Sequence, residues 1–236
     1  MDRWAALVSS APWRRLTTLG RILPCVLGCF DVREVPVAVD DETRPPPLLI
    51  DDFEDGDPRP SAESIEPWRC STFNPGPGLQ PVACGPVAEG YRSDRGYSLW
   101  FELSDTPDGV NDFPGAELFA PTSVPVDISP YAELRFSARY DAGDVPPPAA
   151  VYLQVSISCF DDDEDLQSLD NAVPLSVSWL SQRLPLGNFA QPDWQTKTMD
   201  AAVCATRVGA LSFNIVGFSD GQAATGTLLV DDVYLR

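Results

Sequence analysis

Histidine is absent from the 236 residues, and lysine occurs once, at Lys197. The first absence excludes a Ser-His-Asp triad, a Cys-His pair and any His-ligated zinc. The second leaves a single candidate, with no motif around it, for a Schiff base or a P-loop lysine. Basic side chains as a class are scarce: 16 Lys and Arg stand against 35 Asp and Glu, a formal charge of −19. A surface that negative repels nucleic-acid phosphates and anionic headgroups, so nucleic acid is excluded as a partner and a membrane is reachable only through a lipid anchor. No apolar run approaches the roughly 20 residues of a membrane-spanning helix.

What the chain does have is enough apolar residues, 44%, to fill a core, and 24 prolines that leave little room for long helices. Its six cysteines fall into two groups, Cys25 and Cys29 near the start, then Cys70, Cys84, Cys159 and Cys204. None forms a CxxC pair, so two disulfides in an exported protein are the simpler account, and four buried thiols of an intracellular protein are the alternative. Of the three connectivities open to four cysteines, Cys70 with Cys84, as a local loop closure, and Cys159 with Cys204 are expected.

The N-terminus bears on that choice. Arg14, Arg15 and Arg21 precede a short apolar stretch, Ile22 to Gly28, that ends in "VLGC". This resembles a bacterial lipoprotein leader, which implies cleavage before Cys29 and lipidation of Cys29, in a protein anchored to the cell envelope. Val26 stands where leucine is usual and Pro24 interrupts the apolar core, so a plain secretory signal, or an N-terminal helix of no special meaning, remains open. The organisation expected is a leader over 1–29, a tether rich in proline and charge over 30–47, and one folded domain over 48–236.

From Leu48 onward apolar residues alternate with period two, the pattern of half-buried strands. Tyr97, Leu99 and Phe101 alternate with Ser98, Trp100 and Glu102; Leu134, Phe136, Ala138 and Tyr140 with Arg135, Ser137, Arg139 and Asp141. Leu153, Val155, Ile157 and Cys159 alternate with Tyr152, Gln154, Ser156 and Ser158, and Leu211, Phe213 and Ile215 with Ser212 and Asn214. Further strands are expected at 115–120, 174–180, 194–200 and 225–235. Nine or ten strands with one apolar face each stack as two antiparallel sheets, an all-β sandwich.

The folded part opens with "LLIDDFEDGD" and closes with "LLVDDVYLR". If the first and last strands lie side by side, their carboxylates share one small volume, and clustered oxygens without nitrogen or sulfur ligands suit calcium. The opening motif, Trp68, "YSLWFEL", "DISPYAELRFSARYDAG", "QPDWQT" and "LLVDDVYL", in that order over Leu48 to Arg236, resemble the galactose-binding-like jelly-roll domains found as calcium-containing carbohydrate-binding modules. The resemblance implies a jelly-roll sandwich, a glycan partner and a structural Ca2+. Its ligands by position are Glu54 with the Asp52 carbonyl, a carbonyl just before Tyr97, and Asp231; Asp51 and Asp232 are the fallback. The "DDDED" run from Asp161 has Leu166 and Ala172 where an EF-hand loop needs Gly and Glu, and reads as a solvated acidic loop, with a weak calcium site as the minority view.

Sugars are held by flat aromatics and by planar polar groups. Trp100, Arg135, Arg139, Tyr152, Gln154 and Asn214 all point outward on the alternation above, and are expected to form the ligand surface on one sheet face. Trp179 is assigned to the core, and Trp68 and Trp194 to packing. The function expected is a monomeric, non-catalytic, carbohydrate-binding lipoprotein of the envelope. The alternative is an envelope interaction or structural protein that uses the same fold without sugar affinity. A glycoside hydrolase ranks last, because in so acidic a chain some carboxylate pair always meets the 5 to 9.5 Å spacing.

Overall fold

In the computed structural model the described residues are 45–73, 82–91, 94–103, 115–142, 152–216 and 224–236. The expected leader, Cys29 and the tether up to residue 44 lie outside them. Eleven strands are present: β1 (Leu48–Asp51), β2 (Arg69–Phe73), β3 (Val82–Val87), β4 (Gly96–Leu103), β5 (Gly115–Val126), β6 (Glu133–Asp141), β7 (Tyr152–Phe160), β8 (Leu166–Pro174), β9 (Leu180–Pro185), β10 (Val208–Val216) and β11 (Ala224–Leu235). They form two antiparallel sheets, as the alternation predicts. One has five strands in the order β2-β5-β10-β7-β8; the other has six, β3-β4-β11-β6-β9, with β1 also on β11.

Each alternating stretch puts its apolar set between the sheets. Tyr97, Leu99 and Phe101 of β4 and Leu134, Phe136 and Ala138 of β6 are at most 2% exposed, and they face Leu153, Val155, Phe213 and Ile215 from the opposite sheet, all fully buried. Aromatic rings knit the layer: Phe136 meets Phe213 edge-on at 5.0 Å, and Trp68 lies 5.9 Å from Phe213 and 5.8 Å from Phe53. Such pairs add to the stabilisation from area burial by about 0.5–1.5 kcal/mol each. Trp68 is thus a packing residue, as expected.

Both expected disulfides are present. Cys70–Cys84 ties β2 of one sheet to β3 of the other with Cα atoms 6.0 Å apart, and Cys159–Cys204 ties β7 to the short helix α1 (Ala201–Ala205) at 5.2 Å. Asp200 caps that helix, its Oδ1 accepting from the Ala202 and Val203 amides.

Two expected strands are corrected. Residues 175–179 are the connection between β8 and β9, not a strand, because the pairing partner of β7 is the more polar stretch Leu166–Pro174. Residues 194–200 form a loop, since the chain's backbone partners there are few and its side chains, rather than a ladder, hold it in place.

Candidate functional site

The two acidic motifs do meet. β1 pairs with the end of β11, Leu48 opposite Leu235 and Asp51 opposite Val233, with a bulge between Leu49 and Asp51. Within this junction Asp51 is only 1% exposed; its Oδ1 accepts from the Phe53 amide and its Oδ2 from the Trp68 indole, both at 2.8 Å. Burial pushes its pKa up to about 7, and the charges of Asp55 and Asp52 add to that. Asp231, also 1% exposed, accepts from the Tyr91 and Asp232 amides at 2.6 and 2.8 Å, and burial, with the charges of Asp232 and Glu54, raises it to about 6. Asp52 is half-buried and accepts from the Glu54 amide at 3.3 Å. Phe53 and Asp232 both hold left-handed backbone, φ 56° and 52°, which is costly for residues other than glycine. Gly96, at the start of β4 against Val230 of β11, is crowded by backbone: a Cβ there would stand 2.6 Å from the Glu89 carbonyl oxygen, 3.4 Å from Gly90 Cα and 3.4 Å from the Val230 carbonyl oxygen. Both oxygens of Asp51 and both of Asp231 thus accept N–H donors, and among the described residues no three carboxylates of this junction come close enough together to share an ion.

A second acidic group lies in the turn between β7 and β8. Asp161, Asp163 and Asp165 bring one carboxylate oxygen each within 4.8 Å of one another, so the cluster is able to coordinate a metal ion. It already has a cation. The Nζ of Lys197 donates to Asp161, Asp163 and Asp165 at 2.8, 3.0 and 2.8 Å. Asp161 Oδ1 also closes the turn by accepting from the Asp163 and Asp165 amides. The hydrogen bond from Lys197 is the main cause that lowers the Asp161 pKa, and the three carboxylates raise that of Lys197. The sequence pattern DxDxD is legible; the partner 32 residues downstream is not.

The six outward residues expected on one face are divided between two. Trp100, Arg135 and Arg139 stand on the outer side of the six-stranded sheet, whereas Tyr152, Gln154 and Asn214 stand on the outer side of the five-stranded sheet. Alternation fixes which side of a strand faces water and carries no information on which sheet the strand joins. Trp100 is 38% exposed, level with Thr227 and Asp141. Arg139 pairs with Glu89 at 2.7 Å, and its guanidinium lies 5.8 Å from the Trp179 ring. Trp179 is therefore half-buried beside Arg139 and Tyr91 rather than in the core. Arg135 and Arg183 share Glu133.

On the five-stranded sheet, the pairing register aligns Ser71, Glu117, Asn214, Gln154 and Ala172 across all five strands. The next row holds Arg69, Phe119, Ser212, Ser156 and Asp170. The centre of this face is polar yet desolvated: Ser156, Ser212 and Asn214 are 4%, 4% and 7% exposed. Asn214 Nδ2 donates to the Ser156 hydroxyl at 2.9 Å, and Gln154 Nε2 to Asp170 Oδ2 at 2.8 Å. Asn214 Oδ1 and Asp170 Oδ1 are buried with no hydrogen-bond partner among the described residues. Burial raises the pKa of both Glu117 and Asp170. The result is a polar patch paired largely within itself, with two acceptor oxygens enclosed beneath the outer face. Glu117 and Asp170 escaped the sequence reading, since in a chain with 35 acids no pattern marks these two.

No protein-family model matches this chain, and no curated protein is similar to it. Among solved structures, a family 11 carbohydrate-binding module from Clostridium thermocellum, in complex with a beta-1,3-1,4-mixed-linked tetrasaccharide, is similar at 16% identity and a TM-score of 0.53, over 80% of this chain and 94% of that one. A family 11 module of a cellulosomal cellulase from the same organism has 16% identity and a TM-score of 0.49 over 80% and 94% of the two chains. A family 30 carbohydrate-binding module has 12% identity and 0.43 over 82% and 95%. The first of these likenesses is one of fold: this chain is an antiparallel β-sandwich of the jelly-roll kind seen in carbohydrate-binding modules.

Proposed function

We propose that this protein is a non-catalytic glycan-binding module, with the sugar laid across the outer face of the five-stranded sheet over Gln154, Asn214 and Asp170, and Tyr152 at its margin. The observation that carries the reading is a row of planar polar side chains on that face, with Gln154 donating to Asp170 at 2.8 Å beside Asn214. Planar amides of this kind both donate to and accept from the vicinal hydroxyls of a sugar, and carboxylates accept from them. Tyr152, 52% exposed, offers an aromatic at the edge of the same face. The fold of a carbohydrate-binding module agrees with this reading. So does the spacing of Glu117 and Asp170: their strands are three apart, about 14 Å between backbones, too wide for side chains standing up from the sheet to act as a glycosidase pair.

The test is a glycan array followed by titration of any ligand found, with Gln154→Ala and Tyr152→Ala beside the parent. Loss of about tenfold or more in affinity is expected in Tyr152→Ala with the thermal midpoint retained, and in Gln154→Ala with a midpoint a few degrees lower, because Asp170 Oδ2 loses its donor. Equal affinity in all three proteins removes the site from this face.

A structural calcium at the junction of the acidic motifs belongs to the same reading. Asp231 and Glu54, with the carbonyl of Asp52, would supply the oxygens; burial is the main cause that raises Asp231, and a bound cation would offset the smaller contributions from the charges of Asp232 and Glu54. The paired cysteines favour an exported protein, and lipidation of Cys29 would hold it at the cell envelope. One observation favours the second reading, an envelope interaction protein without sugar affinity: Trp100 and Tyr152 project from opposite sheets, so these two exposed aromatics form no single strip.

A further inference from the structure

Trp194 is 71% exposed, the largest exposure of any bulky apolar side chain among the described residues, and nothing in the packing of the sandwich requires it there. It is carried on a strap, Ala190–Met199, that is fastened at three places. At its start, Ala190 exchanges both backbone hydrogen bonds with Asp170, at 2.8 and 3.0 Å, so the strap leaves edge strand β8 at the residue whose Oδ1 lacks a partner. In the middle, the Gln195 amide, in the orientation that gives both its atoms a partner, pairs with the backbone N–H and carbonyl of Ser168 at 2.8 and 3.2 Å. Near its end, the Lys197 ammonium is held by Asp161, Asp163 and Asp165. Inside the strap, Gln191 braces the two ends, accepting from the Met199 amide at 3.0 Å and donating to the Lys197 carbonyl.

Between the first two fastenings stands Trp194. It lies four positions along from Ala190, which limits its backbone to about 14 Å from the edge of the five-stranded sheet. A large, rigid aromatic held in water near the edge strand of the proposed face supplies what that face has little of, a flat ring for the C–H side of a sugar.

We propose that the Lys197-latched strap presents Trp194 as the aromatic platform of the glycan site on the five-stranded sheet, and that Lys197 is a positioning residue for that site. This rests on the glycan reading above and assigns the site a second wall, made by a loop rather than a strand.

The probes are the mixed-linked beta-1,3-1,4 tetrasaccharide and a panel of soluble polysaccharides in affinity electrophoresis, applied to the parent, Trp194→Ala, Lys197→Met, Lys197→Arg and Gln154→Ala. Trp194→Ala is expected to weaken binding about tenfold or more with an unchanged thermal midpoint, since the side chain is a hot spot only for ligand. Lys197→Met is expected to weaken binding and to lower the fluorescence anisotropy contributed by Trp194, taken as the difference from the matching Trp194→Phe proteins. Lys197→Arg, which keeps the cation, restores both. Parent-like binding by Trp194→Ala, while Gln154→Ala fails to bind, overturns the platform and leaves the sheet face standing. Parent-like binding by both variants, or a parent that binds no probe, overturns the platform and the face together.

Discussion

The Asp51 carboxylate and the Trp68 indole meet at 2.8 Å between the two sheets, joining the acidic opening motif to the aromatic layer of the core. Asp51 is thus at once part of an acidic motif and a core residue, and its protonation is linked to folding. Its pKa rises from 3.8 to about 7 on folding, because burial disfavours the charged form. Between those values the folded protein holds a proton that the unfolded chain has released, so stability is full below about pH 4 and falls as pH rises towards 7.

From this we predict that, in chelator, the thermal midpoint declines between pH 5 and pH 8. Asp231, raised to about 6, acts in the same direction. For a domain of this size each kcal/mol moves the midpoint by about 2–4 °C. In Asp51→Asn the decline is shallower, because the amide keeps an acceptor for the Phe53 amide or the Trp68 indole and carries no charge. Differential scanning calorimetry across that pH range checks it; an unchanged slope in Asp51→Asn assigns the pH dependence to other groups.

Calcium is predicted to reverse the decline at the upper end of the range. A ligand at 100 times its Kd stabilises the native state by about 2.7 kcal/mol, which in a domain this size is a rise of about 5 °C or more. Asp231→Asn removes a charge that the cation needs and abolishes the calcium-dependent rise. If the rise survives in Asp231→Asn and vanishes in Asp163→Asn, the ion sits in the β7–β8 turn and displaces Lys197 instead.

How far the sequence led can be read from single residues. The inward positions of β4, β6, β7 and β10 were legible because alternation reports burial directly, and Trp100 faces water as its place between Ser98 and Glu102 implies. The partition of Trp100 and Asn214 between opposite sheets was not legible, since it depends on which strands pair across long connections. Trp194 was assigned to packing, and stands in solvent because the segment around it, lacking a ladder partner, is held by Lys197 and Gln195. The orphan oxygens of Asn214 and Asp170 are tertiary facts: each has an unremarkable neighbourhood in sequence and loses water only when five strands assemble.

The latch at Lys197 is predicted to be electrostatic and therefore conditional. The ammonium and two of its three carboxylates, those of Asp163 and Asp165, are exposed to solvent, so salt screens the contact within a Debye length of about 8 Å at 0.15 M and about 3 Å at 1 M. Asp161, whose pKa lies below the usual carboxylate range, keeps its contribution as pH falls until it too is protonated. Protection factors of the strap amides, exchange normalised to the intrinsic rate at each pH, are therefore expected to fall in 1 M salt and at pH 3, while those of β7 and β10 stay high, because the opening is local rather than global. If strap and strands lose protection together, the three aspartates hold the fold rather than the strap.

The two disulfides are predicted to differ in what they stabilise. On the chain-entropy account, Cys159–Cys204 closes a span of 45 residues and contributes about 4 kcal/mol, against about 3 for the 14-residue span of Cys70–Cys84. The longer bridge also fixes α1, from which Ala205 accepts the Ile128 amide at 2.7 Å, and thereby the start of β10. The shorter one ties the edge strands of opposite sheets, β2 and β3, and packs at the margin of the core. Replacing Cys159 and Cys204 together by serine is expected to lower the thermal midpoint by about 10 °C and to loosen the strap, which leads into α1 through Asp200. The Cys70/Cys84 pair of substitutions lowers it less and leaves strap exchange unchanged. Equal losses from both, with strap exchange unaffected, would place the role of Cys159–Cys204 in the unfolded chain alone.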